Sequence, residues 1–453
     1  MNRVGEPTDA IGAFVQPRAV GSTHPVRWGH AVVPSAGDMR ACSDAGVACA
    51  GPRSGVRLVR HMKICHVITR LIVGGAQENT VLTCRGLVER GHDVTLVAGP
   101  ETGPEGSLWP EARETGCDIV TLDSLRRAVA PVRDRRAHRE LVEVFHRVRP
   151  DVVHTHSSKA GILGRWAAAS AGVPVVIHTI HGMSFNRTQH APAYAVYRGL
   201  ERWAARYTTA FVTVADAMIE QAVRAGVAGR GRFTTIRSGI ETDAFRPDAA
   251  ARRRTRGAWG VAEDEIVVVT VARLFEDKGY EAIIAAMPEI VGRVPRVRFV
   301  WIGDGARRDE YAAWLAALGL ADRVHMAGLV APLEVAALLN GGDIVLHASR
   351  WEGLPRAIVQ GLLTGLPAVS FDNDGAGEVV VPDETGMLVP LGDIDGLAEA
   401  VVSLACDADR RRRLGRRGRA RCLAMFDWRG MVDRLESLYD RCVASHAPAA
   451  AAL

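Results

Sequence analysis

MKICHVITRLIVGGAQENT, residues 62–80, marks an abrupt change in the character of the chain. Residues 1–61 before it are rich in Gly, Pro, Ala and Arg, with no sustained helical or strand period, and are expected to be a disordered extension or a mis-annotated start ahead of Met62. From Met62 a β-branched run leads through Gly74 and Gly75 into a helical pattern, the strand–loop–helix opening of an α/β unit. The unit then repeats. Strand-like runs at Cys65–Thr69, Asp93–Ala98, Asp151–His156, Pro174–Thr179 and Phe211–Val214 alternate with helical patterns at Ala76–Arg90, Arg133–Arg149 and Ala160–Ala171. A second series follows at Glu265–Val271, Val297–Ile302, Val324–Ala327, Ile344–His347 and Ala368–Phe371. The expected fold is α/β, with two Rossmann-like doubly wound domains at 62–245 and 261–426, joined by a linker at 246–260 that holds a proline, a charged cluster and two glycines. Ligands of such sheets lie beyond the carboxyl ends of the strands, so a cleft between the two domains is where functional residues should gather.

Composition narrows the function. The chain has 453 residues, enough for two α/β cores, and 48% are hydrophobic against 24% charged, the balance of a soluble globular protein. No apolar run approaches the ~18 residues of a membrane span, and the N-terminal stretch lacks the apolar core of a secretory signal. A net charge of +5 gives no reason to invoke nucleic acid. The eight cysteines form no CxxC pair and read as reduced thiols. The only lysines are Lys63, Lys159 and Lys278, a bias that fits a GC-rich genome and singles out each lysine that remains.

Two loops carry the chemistry. In VARLFEDKG, residues 271–279, Arg273 and Lys278 follow a strand and precede a helix. Two fixed cations there suit a leaving diphosphate whose negative charge grows as its bond to a sugar breaks, arginine as a fork and lysine as a point charge. Read alone, an exposed turn with solvated charges explains that loop equally well. In SRWEGLPRAIVQ, residues 349–360, Glu352 directly follows the apolar strand, Gly353 opens a tight turn and Pro355 suits the first turn of the next helix. Free amides at that helix start suit phosphate, and a carboxylate beside them suits sugar hydroxyls. An ordinary helix start with a favourable first-turn charge is the plainer alternative.

With these motifs in view, the chain from Met62 to about Val443 resembles the GT4-type retaining glycosyltransferases of GT-B fold, in particular the branch that builds polysaccharides or lipid-linked oligosaccharides. GGAQENT, HTHSSKAGILGR, HTIHG, IRSGIETDAF, VARLFEDKG, IGDG, WEGLPRAIVQGLLTGLP and GAGEVV occur in the family's order. The resemblance implies transfer of a sugar from a nucleotide-diphosphate donor, with retained anomeric configuration, to a glycan or polyprenyl (lipid-linked) acceptor, and no essential metal or other cofactor. It places Arg273 and Lys278 on the diphosphate, Glu352 on the donor sugar, His181 against the reacting sugar or acceptor, and Gly74 and Gly75 where backbone approaches phosphate or acceptor. Gly353, Leu354, Pro355 and Glu378 join the donor site. The family has a Glu, seven residues, then a second Glu; here the second position is Gln360, expected at the nucleotide ribose, where an amide oxygen still accepts from a hydroxyl. It further implies that a C-terminal helix at 427–443 crosses back to the first domain, ahead of a tail at 444–453 expected to be disordered.

Other readings compete. His154, His156, His178 and His181 invite a zinc site, but no carboxylate completes a metal pattern, so a mixture of cleft-lining and structural histidines is expected. Asp372–Asn–Asp374 reads as a turn and not as a metal motif. Ile302–Gly–Asp–Gly305 lacks the third glycine of a dinucleotide fingerprint, which argues against a nicotinamide dehydrogenase. A related nucleotide-sugar epimerase and a non-catalytic sugar-nucleotide- or glycan-binding subunit remain as alternatives. The arginines between Arg133 and Arg149, interleaved with Val, Leu and Phe, suit either a solvated helix or a helix resting on anionic membrane, whereas the run Arg410–Arg421 reads as solvated. Localisation is expected to be cytoplasmic, with a peripheral contact at the inner face of the plasma membrane.

Overall fold

Strands form where the β-branched runs predict them, and their order places the site. The structure, a computed structural model, describes residues 60–100, 103, 105–185 and 189–446; the expectations for 1–59 and 447–453 lie outside the described residues. The first sheet comprises β1 (Lys63–Arg70), β2 (Asp93–Gly99), β3 (Asp118–Thr121), β4 (Val152–His156), β5 (Val175–Ile180), β6 (Ala210–Thr213) and β7 (Phe233–Thr235), in the order β3-β2-β1-β4-β5-β6-β7. The second comprises β8 (Ile266–Val271), β9 (Val297–Ile302), β10 (Val324–Gly328), β11 (Ile344–His347), β12 (Ala368–Asp372) and β13 (Gly386–Pro390), in the order β10-β9-β8-β11-β12-β13. Every strand pairing in both is parallel. Each sheet therefore winds outward in two directions from one pair, β1/β4 and β8/β11. At those switch points the loops leaving adjacent strands diverge and open a crevice.

Three strands, β3, β7 and β13, have no counterpart in the sequence reading. All lie at sheet edges and are only partly buried, so they lack the continuous apolar run of a central strand. The expected linker is also different. Most of 246–260 is a helix, Ala249–Trp259, capped by Asp248, which accepts from the amides of Ala250 and Ala251, and ended by Gly260 in a left-handed turn. Its arginines, the charged cluster of the expected linker, clamp the second sheet: Arg252 and Arg256 pair with Asp343, just before β11. The chain passes between the sheets earlier, through 236–248.

It returns at Phe426–Trp428. There Ile240 on the outward crossing donates its amide to Phe426 and accepts from Trp428, so the two crossings are hydrogen-bonded to each other. The final helix, Trp428–His446, then lies on the first sheet's side, and it extends past residue 443 into the segment expected to be disordered. Met431, Val432, Leu435, Leu438 and Tyr439 share a core with Val81, Leu82 and Leu87 of the Gly75–Glu89 helix, each buried apolar side chain worth roughly 1.5–3 kcal/mol. Polar anchors fix its register: the Tyr439 hydroxyl lies 2.5 Å from His154 Nδ1, and His92 Nε2 lies 2.8 Å from Glu436.

Of the two basic segments, the first fits the solvated-helix reading and the second departs from it. In the Pro131–Val148 helix, Leu141, Val144 and Phe145 are buried in the core, so its apolar stripe faces the protein and is not free for a membrane. In the Ala408–Phe426 helix, Arg411, Arg419 and Arg421 are not merely solvated; they donate to carbonyls of Leu404 and Ala405, of Phe245 and Leu363, and of Glu378. Removing the Tyr439 hydroxyl tests the C-terminal anchor. Tyr439→Phe leaves a buried imidazole nitrogen unpartnered and is expected to lower stability to urea by about 1–3 kcal/mol; an unchanged midpoint would show that the contact contributes nothing.

Candidate active site

The β8/β11 switch point brings together two loops 74 residues apart in sequence. After β8 the chain passes Arg273 and a short 3₁₀ turn, Glu276–Lys278, and then bends at Gly279 with φ of 75°. A Cβ at Gly279 would stand 1.7 Å from the carbonyl oxygen of Ala348, just beyond β11, so only glycine lets the loop press against the neighbouring strand end. The Ser349 hydroxyl and the Arg350 amide both donate to the Asp277 carbonyl and stitch the loops together. Lys278 Nζ consequently meets Glu352 Oε1 at 2.5 Å, with His347 Nε2 3.3 Å from the same oxygen. Burial pushes the Glu352 carboxyl up, but the Lys278 charge and the neighbouring His347 outweigh it, leaving the group well below the usual carboxylate range. The Glu352 amide donates to Asp374 Oδ2, and Asp374, at φ of 41°, also accepts from Gln221 of the first domain. Past the end of β12 at Asp372 the chain turns at Asp374, which fixes the Glu352 backbone.

The facing wall comes from the first sheet. Gly75 starts the helix after β1, and a Cβ there would lie 2.6 Å from Cδ of Arg356. Arg356 reaches over it from the second domain to bond Glu78 and the Gly239 carbonyl. Gly353 brings the two halves together backbone to backbone: a Cβ there would stand 2.0 Å from the His181 carbonyl oxygen. Arg273 also crosses, pairing with Glu105 at 3.0 Å.

Behind His181 runs a chain of imidazoles. His181 Nε2 lies 3.1 Å from His156 Nδ1, and His156 Nε2 lies 2.9 Å from His66 Nδ1. Burial lowers all three, His66 to about 3 and His181 to about 3 with help from the Arg356 charge, so the rings are neutral near pH 7 and each carries a single N–H. His66 Nε2 is buried without a partner. If it carried the hydrogen, an N–H would be orphaned, the costlier defect; the opposite polarity leaves only a bare lone pair. That polarity makes His66 donate to His156 and His156 to His181. The hydrogen on His181 then sits at Nδ1, which has no partner among the described residues.

The ring nitrogens of His66, His154 and His156 lie within 4.8 Å of one another, a set that includes a residue absent from the sequence-based quartet. The 2.9 Å contact is shorter than the separation of about 3.3 Å that two nitrogens adopt at opposite corners of a tetrahedral zinc. His154 is hydrogen-bonded at both nitrogens, by Tyr439 and Thr179, and His178 turns to Thr155. Hydrogen bonding accounts for the cluster without converging lone pairs.

A cavity of about 670 Å³ collects the expected residues: Gly74, Gly75 and His181 from one side, and Arg273, Lys278, Glu352, Gly353, Leu354, Pro355 and Gln360 from the other. Pro355 caps the Arg356–Leu363 helix one position earlier than expected, which leaves the amides of Arg356 and Ala357 without helical partners at the cavity wall. Glu378 is not in the wall. It lies on the short Ala376–Val379 helix and binds Arg237 at 2.6 Å and the Ala217 amide, because the start of the Asp216–Arg224 helix offers it a free N–H and Arg237, just beyond β7, a cation. Lys159 is likewise elsewhere, paired with Asp134. Arg356, Glu78, Glu105 and His66 were not anticipated, and Asp374 was read only as part of a turn, without its contact to Glu352. Each is an ordinary polar residue in its own segment; His66 gains its place from the pairing of β1 with β4, and the others gain theirs where the domains meet.

Both halves of the chain have known counterparts. Residues 73–244 match the family model described as Glycosyltransferase Family 4, and residues 251–421 match Glycosyl transferases group 1, one on each domain. The chain belongs to the GT4-type glycosyltransferases. It is 28% identical over 349 residues to the Escherichia coli UDP-Gal:alpha-D-GlcNAc-diphosphoundecaprenol alpha-1,3-galactosyltransferase, covering 76% of this chain and 88% of that one. It is 21% identical to the Staphylococcus aureus capsular polysaccharide biosynthesis glycosyltransferase CapM, covering 84% and 98%. Among solved structures, Anabaena Alr3699/HepE in complex with UDP and glucose superposes with a TM-score of 0.73 at 20% identity, covering 84% of this chain and all of that one. The fold is GT-B, and the chain is a glycosyltransferase.

Two substitutions test the geometry of this glycosyltransferase. Gly353→Ala places a methyl group against the His181 carbonyl and holds the halves apart; turnover is expected to fall about 10²-fold with the melting temperature preserved, and unchanged turnover would mean that this contact is dispensable. In Lys278→Ala, Glu352 keeps the burial that raises its pKa and loses the cation that lowers it. Donor use should weaken overall and fall further as the pH drops toward mildly acidic values, where the wild type is flat. A variant with the wild-type pH profile would contradict the pairing.

Proposed function

We propose that this glycosyltransferase moves a hexose from a nucleotide-diphosphate sugar to a glycan or lipid-linked acceptor with retention of anomeric configuration. The observation that carries the reading is the half-buried Lys278–Glu352 pair beside Arg273, at the mouth of the β8/β11 switch point. Arg273, Lys278 and the free amides at Arg356 and Ala357 receive the diphosphate. Glu352, held ionised, accepts from donor-sugar hydroxyls, and Gln360 on the following helix meets the ribose. Arg273 exchanges its Glu105 partner for phosphate as the donor binds.

The fate of the acceptor proton follows from the side chains. Glu352 is a weak base because its pKa is depressed, and His181 presents N–H in place of a lone pair. The leaving diphosphate oxygen is the best remaining acceptor. As the sugar C1 bond to that oxygen breaks and the bond to the acceptor oxygen forms, the proton passes to the diphosphate on the same face, which fits retention. His181 Nδ1–H donates to a sugar or acceptor oxygen and keeps it in place. None of these steps calls on a metal ion, and we read the reaction as metal-independent.

The relatives act on a diphosphoundecaprenol-linked sugar and in capsular polysaccharide biosynthesis, which supports a role in cell-surface polysaccharide or glycolipid synthesis. No helix among the described residues is long and apolar enough to cross a membrane, and we place the enzyme in the cytoplasm, peripherally at the inner face of the plasma membrane. Glu352→Ala is expected to abolish transfer with the fold intact by circular dichroism. Proton NMR of the wild-type product should show the anomeric configuration of the donor. Near-normal turnover of the variant would refute the role of Glu352, and an inverted product would refute same-face transfer. Turnover of donor alone, without acceptor, would point to an epimerase.

A further inference from the structure

A second cavity, about 580 Å³ in volume, adjoins the first and shares Met183 and Trp351 with it. Its wall carries three arginines, Arg198 and Arg224 from the first domain and Arg350 from the second. In a protein whose arginines are widely paired with carboxylates, none of these three side chains has an ion pair or hydrogen bond among the described residues. Asp372 and Asp374 also line the cavity and leave it one positive charge in excess, but neither pairs with these arginines: Asp374 spends its oxygens on Gln221 and the Glu352 amide, and Asp372 is exposed. Three unpaired guanidinium groups around one pocket match a compact ligand with several negative oxygens, because each presents a planar fork of donors.

The helix that supplies Arg198 adds a second observation. In Ala191–Ala204, Tyr194 and Arg198 sit one turn apart and face the cavity, while Glu201 and Ala204 are buried. The opposite side is apolar and open to solvent: Ala195, Val196, Gly199 and Leu200 are exposed, Val196 at 60% and Leu200 at 38%. An uncovered apolar helix face bordering a cationic pocket fits a ligand with an anionic head and a hydrocarbon tail.

We propose that this cavity receives an amphiphilic acceptor whose diphosphate is held by Arg198, Arg224 and Arg350 while its polyprenyl tail lies along the outer face of the Ala191–Ala204 helix. The inference rests on the transferase reading and deepens it by giving the acceptor its own anion site, separate from Arg273 and Lys278. A sugar attached to the diphosphate extends past Trp351 and Met183 toward Glu352, where the donor sugar is transferred.

Co-sedimentation of the full chain with phosphatidylcholine vesicles tests this. One set carries a polyprenyl diphosphate, a second carries phosphatidylglycerol at matched charge, and a third has no anionic lipid. Binding should favour the diphosphate vesicles over the phosphatidylglycerol vesicles, and inorganic pyrophosphate should compete. The triple variant R198Q/R224Q/R350Q should lose at least about tenfold in affinity for the diphosphate vesicles, and V196S/L200S should lose vesicle binding while its arginine pocket is intact. R224Q alone, at an exposed position, should show part of the loss even if the triple variant does not fold. Equal binding to both anionic vesicle types would overturn the proposal in favour of a diffuse charged surface. Undiminished binding by the arginine variants would overturn it as well, and binding of pyrophosphate without any preference for the lipid would reduce the pocket to a free-anion site. Nucleotide-sugar binding by the unmodified protein, measured in parallel, separates the two readings: its absence removes the transferase assignment, whereas its presence without diphosphate-lipid binding removes only the acceptor site.

Discussion

A carboxylate at the bottom of a cleft stays ionised only if a cation is held against it, and the contact of Lys278 with Glu352 is the interaction on which the rest of this site depends. Burial alone would favour the protonated acid; the ammonium at 2.5 Å reverses that balance. The two residues come from loops 74 positions apart. They meet because β8 and β11 are neighbours at the switch point of a parallel sheet, and because Gly279 takes up a left-handed turn that a side chain would block. The fold supplies the crevice, and one glycine and one lysine turn it into an anionic hydroxyl acceptor flanked by cations.

Closure of the cleft is a polar arrangement superimposed on an apolar one. Arg356 with Glu78, Arg273 with Glu105, Glu378 with Arg237 and Asp374 with Gln221 all cross between the domains. Ile180, Val214 and Leu354 continue a hydrophobic cluster between the same walls. Contacts of the first kind exchange readily with water and ligand phosphate, so they suit a hinge that opens and closes around a charged donor. The paired crossings at Ile240 and Asp427 supply a narrow pivot, and the last helix keeps its own domain's core intact while the other domain moves.

Much of this was legible in the residues. The central strands announced themselves as β-branched runs, Arg273, Lys278 and Glu352 were marked by their positions just beyond strand ends, and His181 was pointed out by the family resemblance alone. The edge strands β3, β7 and β13 were silent because half-exposed strands need no apolar run. Residues 246–260 read as a linker because a helix whose arginines pair with Asp343 looks, in one dimension, like a charged loop. Glu378 was expected at the donor and instead joins the domains, since its partners, Arg237 and the Ala217 amide, belong to a segment that no local pattern connects to it. His66 was missed for the same reason: its position behind His156 follows from the pairing of β1 with β4, not from its own neighbours.

Every role assigned to Arg273, Lys278 and Glu352 requires that this cleft bind a nucleotide-diphosphate sugar. The most direct measurement is thermal unfolding of the full chain with UDP-, GDP- and ADP-sugars in the absence of added metal. A ligand that binds only the folded state stabilises it by about 2.7 kcal/mol at a hundredfold excess over its dissociation constant. One nucleotide class should raise the melting temperature clearly, with or without a divalent cation. A folded sample that shifts with none of them, or only when metal is supplied, would contradict a donor site built from Arg273, Lys278 and Glu352.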